Sequence, residues 1–343
     1  MTMTGTVCEK PSPHLTLRRV SKVYPVGGGH LLGRKRFLTA VDAVDLDVYA
    51  GETLALVGES GCGKSTLAKL IMHLELPTSG TVSIGGQSLS DLNPGALKQA
   101  RRQLQMIFQD PYASLNPRMT TRRIIAEALR NYRVGSRADI DARVTEIAKS
   151  VGLSTYHLDK YPHELSGGQC QRVGIARAIA LKPALVVADE PVSALDVSIQ
   201  AQVLNLILRL KKEMQLTLIF VSHDLSVVAH LADRVAVMYL GRIVETAPAT
   251  ELFRAPRHPY TKMLLAAVPR PVPGQNPGSQ SIVGELPSPI DPPSGCHFRE
   301  RCPIARPLCA QEAPRLTESV ANHAVACHFA DCEPQAAKDA ANG

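Results

Sequence analysis

Hydrophobic and polar positions along this chain follow different rhythms in different stretches. From Leu15 to about Val57, short β-rich stretches are separated by Gly and Asp turns. The apolar run ETLALVG ends at Gly58, a Gly-rich turn follows, and LAKLIMHL then reads as a helix. That succession is the strand–loop–helix unit of a phosphate-binding α/β fold. Between about Leu97 and Leu165 the chain is richer in helix formers, and AEALRNYRV and ARVTEIAKSVGL fit a helical period. From Leu165 onward helix and strand alternate: GQCQRVGIARAIA, the strand ALVVAD, the helix SIQAQVLNLILRLKKEM, the strand LTLIFV. Helices placed between apolar strands predict a parallel sheet.

After about Glu251 the texture changes. Eight prolines fall between Pro269 and Gly295 with little apolar periodicity, which predicts an irregular connector. A Cys-rich segment follows, and from Glu333 an Ala-rich polar tail. No internal repeat is present, so the chain carries one α/β unit and not two in tandem.

Composition narrows the class. With 45% hydrophobic and 20% charged residues, the chain has the balance of a globular protein, not of a disordered one. No stretch approaches the ~20 uninterrupted apolar residues that span a bilayer. The opening MTMTGTVCEKPSPH lacks a signal-peptide core, so the chain is expected to stay in the cytosol unless a partner holds it at a membrane. The net charge of +7, gathered in part at Arg18, Arg19, Lys22, Arg34, Lys35 and Arg36, does not by itself name a partner. Cysteines in that compartment are expected to be reduced. Cys8, Cys62 and Cys170 are scattered, whereas five lie between Cys296 and Cys332.

Three motifs carry chemistry. GESGCGKST (Gly58, Glu59, Ser60, Gly61, Cys62, Gly63, Lys64, Ser65, Thr66) has the spacing of a phosphate loop. Its backbone N–H groups and the following helix start cradle phosphate oxygens, and glycines leave room for that approach. Lys64 supplies a point charge for the β- and γ-phosphates, and Ser65 a hydroxyl for Mg²⁺. ALVVADEP is an apolar strand ending in two carboxylates. A buried strand delivers Asp189 to the sheet's C-terminal edge as a Mg²⁺ partner, and Glu190 is placed to polarise a water. Alone, such a pair could simply end a strand at the surface; beside a phosphate loop it reads as catalytic. In LSGGQCQR, Ser166, Gly167, Gly168 and Gln169 open a helix. That makes a second anion site at a helix start, the plain alternative being an ordinary Ser cap.

The order GESGCGKST, QDPYASLNPRMT, LSGGQ, ADEPVSALD, VSHD resembles the nucleotide-binding subunit of an ATP-binding cassette (ABC) transporter, over roughly residues 14–330. The resemblance implies an α/β P-loop NTPase with a RecA-like parallel-sheet core, a β subdomain and an α-helical subdomain at about 97–165. The cassette would occupy 14–252, between a flexible stretch at 1–13 and an extension at 253–332, with a flexible tail at 333–343. It implies ATP hydrolysis with Mg²⁺ by two cassettes packed head to tail, each LSGGQ completing the partner's site. Tyr24 would stack on adenine. Gln109 would sense Mg²⁺ or the attacking water and relay to the permease. Glu190 would be the general base, Ser193 to Asp196 would touch the opposite cassette, and His223 would contact the γ-phosphate. Cys170 departs from the family, which usually has a basic residue after LSGGQ.

RAPRHPYTKMLLAAVP and GELPSPIDPPSGCHFRERCPIARPLC…HAVACH resemble the C-terminal extension of oligopeptide/dipeptide-type importers, whose relatives include nickel and glutathione importers. Four reduced cysteines, Cys296, Cys302, Cys309 and Cys327, fit a Cys₄ metal site but lack the C-x₂-C pairs common in zinc ribbons. The resemblance favours a 4Fe-4S cluster there, with zinc or plain structural thiols as alternatives. Cys332 is the reserve ligand and His328 a weaker one. Implied partners are a second, non-identical ATPase, two transmembrane permease subunits and an extracytoplasmic substrate-binding protein, with this chain on the cytoplasmic face of the inner membrane. Nucleic acid is not among them. A soluble ABC ATPase acting on ribosomes or DNA is the alternative class, but such chains commonly fuse two cassettes or insert coiled coils. The cargo is open: dipeptide, oligopeptide, glutathione and metal all fit.

Overall fold

The structure, a computed structural model, describes residues 12–26, 36–268, 287–290, 292–320 and 322–330. Most of the proline-rich connector, the polar tail, Cys8, Arg34, Lys35 and Cys332 therefore lie outside the described residues. The elements run in the order β1 (Leu15–Val26), β2 (Arg36–Val48), β3 (Thr53–Val57), α1 (Lys64–Ile71), β4 (Ser79–Ile84), β5 (Gln87–Ser88), α2 (Pro94–Gln103) and β6 (Leu104–Ile107). Then come α3 (Thr121–Asn131), α4 (Arg137–Ser150), α5 (Thr155–Leu158), α6 (Gly167–Ile179), β7 (Leu185–Asp189), α7 (Val197–Met214), β8 (Thr217–Ser222) and α8 (Leu225–Leu231). The chain closes with β9 (Arg234–Tyr239), β10 (Arg242–Pro248), α9 (Ala249–Arg254), α10 (Pro259–Ala266), α11 (Leu308–Gln311), β11 (Thr317–Val320) and β12 (His323–Val325).

Strands β6, β7, β8, β3 and β9 pair in that order and are all parallel. Their short apolar runs are buried on both faces, as an all-parallel core requires. The period-two alternation of side chains splits them between two cores. Ala55, Val57, Val186, Ala188, Leu218 and Phe220 join the core shared with α3, α4, α6 and α7. Their neighbours Leu54, Leu56, Leu185, Val187, Ile219 and Val221 join the core shared with α1 and the antiparallel sheet β2-β1-β4-β5. The result is three layers: an antiparallel sheet with α1, the central sheet, and a helical layer.

Local signals set the helix limits. The Ser136 hydroxyl and the Asp139 carboxylate form a reciprocal capping box that starts α4. Helix α7 ends at Gln215, whose φ of 52° is the left-handed turn that terminates a helix.

Two features were not anticipated. Strand β6 falls inside the helix-rich range 97–165 and pairs with β7 in the central sheet. Four residues are too short to announce themselves by periodicity. The extension is also more than a Cys-rich appendage. Its hairpin β11–β12 pairs antiparallel with β10 through Glu245↔Val325 and Thr246↔Ala324, so the central sheet continues into it. No helix among the described residues is long and apolar enough to cross a membrane.

Candidate nucleotide site

The phosphate loop joins β3 to α1, and α1 begins at Lys64, so Lys64 and Ser65 occupy its first turn. Gly63 caps it with φ 107°. A Cβ there would lie 2.1 Å from the Ala40 carbonyl oxygen, and one at Gly58 would lie 2.2 Å from that of Met238. Only glycine allows β2 and β9 to press this closely on the loop. Ser60 and Gly61 are exposed at the tip, while Cys62 is buried beneath it and burial pushes its thiol pKa up. The buried Lys64 ammonium donates to the carbonyl oxygens of Gly58 (2.8 Å) and Glu59 (2.9 Å). Among the described residues no carboxylate pairs with it within salt-bridge distance. A buried cation held only by neutral groups fits an anionic ligand.

Strands β8, β7 and β6 run parallel to β3, in that order beside it, so their C-terminal ends lie along the same sheet edge as the loop. Asp189, the last residue of β7, accepts a hydrogen bond from Ser65 Oγ (3.1 Å), and burial raises its pKa. Glu190 follows in a left-handed backbone conformation, φ 43°. Gln109 Nε2 donates to Glu190 Oε2 at 2.9 Å, and His223 Nδ1 stands 3.2 Å from Glu190 Oε1. Glu190 is 15% exposed and His223 is 59% exposed, so the carboxylate is gripped from both sides while one gripping group faces open space. Ser65, Asp189, Glu190, Gln109 and His223, named from separate motifs, are thus brought into one constellation.

Other sequence-predicted residues stand elsewhere. Tyr24 is half-buried on β1, its hydroxyl bonded to Glu75, with Lys22 Nζ 5.1 Å from its ring centroid. Burial, then the Glu75 bond, pushes its phenol up to about 12. Thr66 lies within reach of that hydroxyl. Ser166 is exposed and caps α6 reciprocally with Gln169, whose Nε2 is 3.2 Å from His157 Nε2. Gly167 and Gly168 face Leu195 and Ile199, leaving no room for a Cβ at Gly168, 2.7 Å from Ile199 Cγ2. Ser193 Oγ donates to the Glu190 carbonyl at 3.1 Å. The Cys170 thiol is buried, bonded to the Pro162 carbonyl at 3.4 Å and pushed up to about 11 by that burial.

Cys296, Cys302, Cys309 and Cys327 line one small pocket together with His258, Phe298 and His328. The Cys296 N–H donates to the Cys309 carbonyl at 2.7 Å. Burial, then the neighbouring thiols, pushes Cys302 up to about 12. His328 Nε2 lies 3.0 Å from the Glu312 carbonyl. Yet among the described residues no group of three or more His, Cys, Asp or Glu stands in an arrangement that could hold a metal ion. The four thiols converge without closing to ligand geometry, so the iron–sulfur expectation gains no support from this arrangement. Around Asp189 the side chains that would face a Mg²⁺ include the neutral groups of Ser65 and Gln109, and phosphate oxygens and water would complete the shell of such an ion.

Reasoning from sequence missed two sets of residues, one holding the loop and one at the joint between β10 and the extension. Tyr260 and Arg301 reach Glu59 of the loop from the extension, and His323 of the extension meets Glu245 on β10. Tyr260, Arg301 and His323 fall inside the extension segments whose resemblance was noted, but nothing in those strings pairs them with Glu59 or Glu245.

Comparisons with known proteins agree with the geometry. The family model "ABC transporter" matches residues 41–193, and "Oligopeptide/dipeptide transporter, C-terminal region" matches 244–309. The chain is 56% identical over 293 residues to the oligopeptide transport ATP-binding protein OppF of Salmonella typhimurium, covering 84% of this chain and 87% of the relative. It is 48% identical over 318 residues to the oligopeptide transport ATP-binding protein AppF of Bacillus subtilis, covering 92% and 97%. A dimeric ATP-binding cassette solved in a post-hydrolysis state with ADP and Pi superposes with a TM-score of 0.61 at 30% identity, covering 68% of this chain and 98% of that one. On these matches the chain belongs to the ABC transporter family as an ATP-binding subunit of the oligopeptide/dipeptide type.

Proposed function

We propose that this chain is an ATP-hydrolysing subunit that powers peptide import, sharing its reaction with a second cassette packed head to tail. The observation that carries this reading is the grip of Gln109 and His223 on Glu190, directly beside the Ser65–Asp189 pair. Lys64 and the backbone N–H groups of residues 58–66 hold the β- and γ-phosphates, with Tyr24 as the adenine platform. Mg²⁺, faced by Ser65, Asp189 and Gln109, would neutralise charge developing on the phosphates. Glu190 takes the proton of the attacking water, and His223 and Gln109 fix the direction of its carboxylate. Ser193 to Asp196 meet the opposite cassette.

Ser166 is exposed at the start of α6, and Gly167, Gly168 and Gln169 behind it are partly exposed. That supports the reading that they complete the partner's site. Catalysis here is positioning and electrostatics, and the work is conformational: closure of two cassettes moves the permease. The partners are then a paralogous ATPase, two permease subunits and an extracytoplasmic binding protein, with this chain on the cytoplasmic face of the inner membrane. The names of the relatives support oligopeptides as cargo; nickel or glutathione would use the same cassette. A finer element is a 4Fe-4S cluster on Cys296, Cys302, Cys309 and Cys327. It rests on the resemblance of the extension to that of oligopeptide/dipeptide-type importers and on the thiolate chemistry of four reduced cysteines, not on the arrangement of the thiols.

Glu190→Gln tests the central assignment. In the assembled transporter the variant retains ATP binding and cassette closure but loses phosphate release by about 100-fold or more. Near-wild-type turnover would refute Glu190 as the base.

A further inference from the structure

The C-terminal region reaches back into the phosphate loop. Arg301 forks onto Glu59, with Nη1 2.8 Å from Oε2 and Nη2 2.9 Å from Oε1. The two side chains are 5% and 19% exposed, so solvent and salt screen this pair little. The Arg301 guanidinium also lies over the Tyr239 ring, 5.7 Å from its centroid. Tyr260, on α10, accepts the backbone N–H of Glu59 at 2.9 Å. Phe298 packs between these anchors, 5.2 Å from the ring centroid of Tyr239 and 5.4 Å from that of Tyr260. Glu59 is therefore held by its carboxylate and by its backbone from residues far along the chain.

The position of Glu59 gives this grip a consequence. Its carbonyl oxygen accepts the Lys64 ammonium at 2.9 Å, so the connection runs from Arg301 through Glu59 to the lysine of the loop. A carboxylate beside a phosphate site repels an incoming polyanion unless a cation neutralises it. A bidentate guanidinium neutralises it and fixes its direction together. A lysine in its place could do only the first.

We propose that Arg301, supported by Tyr260 and Phe298, positions the phosphate loop and cancels the charge of Glu59, which makes the C-terminal region a working part of nucleotide binding. The inference rests on residues 58–66 being the ATP site. Arg301 and Phe298 lie on the segment between Cys296 and Cys302, so the packing of that Cys pocket sets where the loop's partner sits.

Calorimetric titration of the full chain with Mg-ATP and Mg-ADP, at low and high salt, tests it. Arg301→Ala weakens ATP binding by about tenfold and ADP binding less, because the unpaired Glu59 carboxylate repels the more highly charged nucleotide more. High salt narrows that difference. Arg301→Ala/Glu59→Gln returns ATP affinity to within about threefold of wild type, as expected when a charge and not a lost fold is the cause. Arg301→Lys falls between wild type and Arg301→Ala. Equal losses for ATP and ADP, failure of Glu59→Gln to rescue, or an unchanged affinity in Arg301→Ala would each overturn the coupling. A wild-type chain that binds no ATP would overturn the site assignment and this inference with it. Binding in wild type with no effect of Arg301→Ala overturns this inference alone.

Discussion

Glu245 is the polar centre of the joint between the cassette and its extension, and Glu245→Gln measures what that joint contributes. The residue is fully buried on β10. Its Oε1 accepts the backbone N–H of Arg257 at 2.7 Å and faces His323 Nε2 at 2.7 Å; its Oε2 accepts the backbone N–H of His258 at 3.1 Å. One carboxylate thereby links the central sheet, the approach to α10 and the β12 hairpin. A glutamine offers one oxygen and one NH₂ group. If the oxygen keeps the two bonds of Oε1, the NH₂ confronts the His258 N–H, donor against donor. A buried donor left unsatisfied costs about 1–3 kcal/mol. Turning two charge-assisted bonds into neutral ones adds about 1 kcal/mol. The sum is about 2–4 kcal/mol, a large share of the ~5–15 kcal/mol by which proteins are stable. Urea unfolding followed by far-UV circular dichroism, suited to a chain without Trp, should show a lower midpoint at an unchanged slope. Limited proteolysis should cut the extension faster. A change below about 1 kcal/mol with unaltered proteolysis would refute the reading of Glu245 as the joint's main polar tie.

Two further outcomes are expected. Gly63→Ala should lower ATP affinity by about tenfold or more while the far-UV spectrum stays native, because its Cβ would meet the Ala40 carbonyl oxygen at 2.1 Å on a φ of 107°; wild-type affinity in a calorimetric titration would contradict this. Anaerobically purified chain should carry about four irons with absorbance near ~400 nm, lost on Cys302→Ser, if thiolates ligate a cluster; iron-free protein without that absorbance would remove the proposal.

Much of the site was legible because its parts are local. The phosphate loop is a contiguous strand–turn–helix whose donors come from successive residues, and GESGCGKST states it in full. The capping box of Ser166 and Gln169 likewise needs only four neighbours in sequence. Tyr24 was less legible: a β-strand tyrosine can serve a core, a ligand or a surface, and here its hydroxyl is engaged by Glu75. The Cys pattern pointed to a common pocket, and the four thiols do share one, but spacing could not say how close they come. Strand β6 and the hairpin β11–β12 escaped notice because strands this short carry no usable periodicity.

The sequence by itself determined which groups this protein has to work with: a glycine-rich loop with the spacing of a phosphate loop, a pair of carboxylates at the end of an apolar strand, a second glycine-opened helix start, and a cluster of thiols. It determined the α/β class as well, since apolar strands alternating with amphipathic helices have few ways to bury themselves. Only the tertiary structure decided what acts together. Gln109 meets Glu190 across 81 residues because β6 and β7 are parallel neighbours ending at one edge of the sheet. Arg301 meets Glu59 across 242 residues because the extension folds back over β9, α10 and the loop. Such contacts depend on strand order and on the packing of distant apolar side chains, and neither is written in any local pattern of residues.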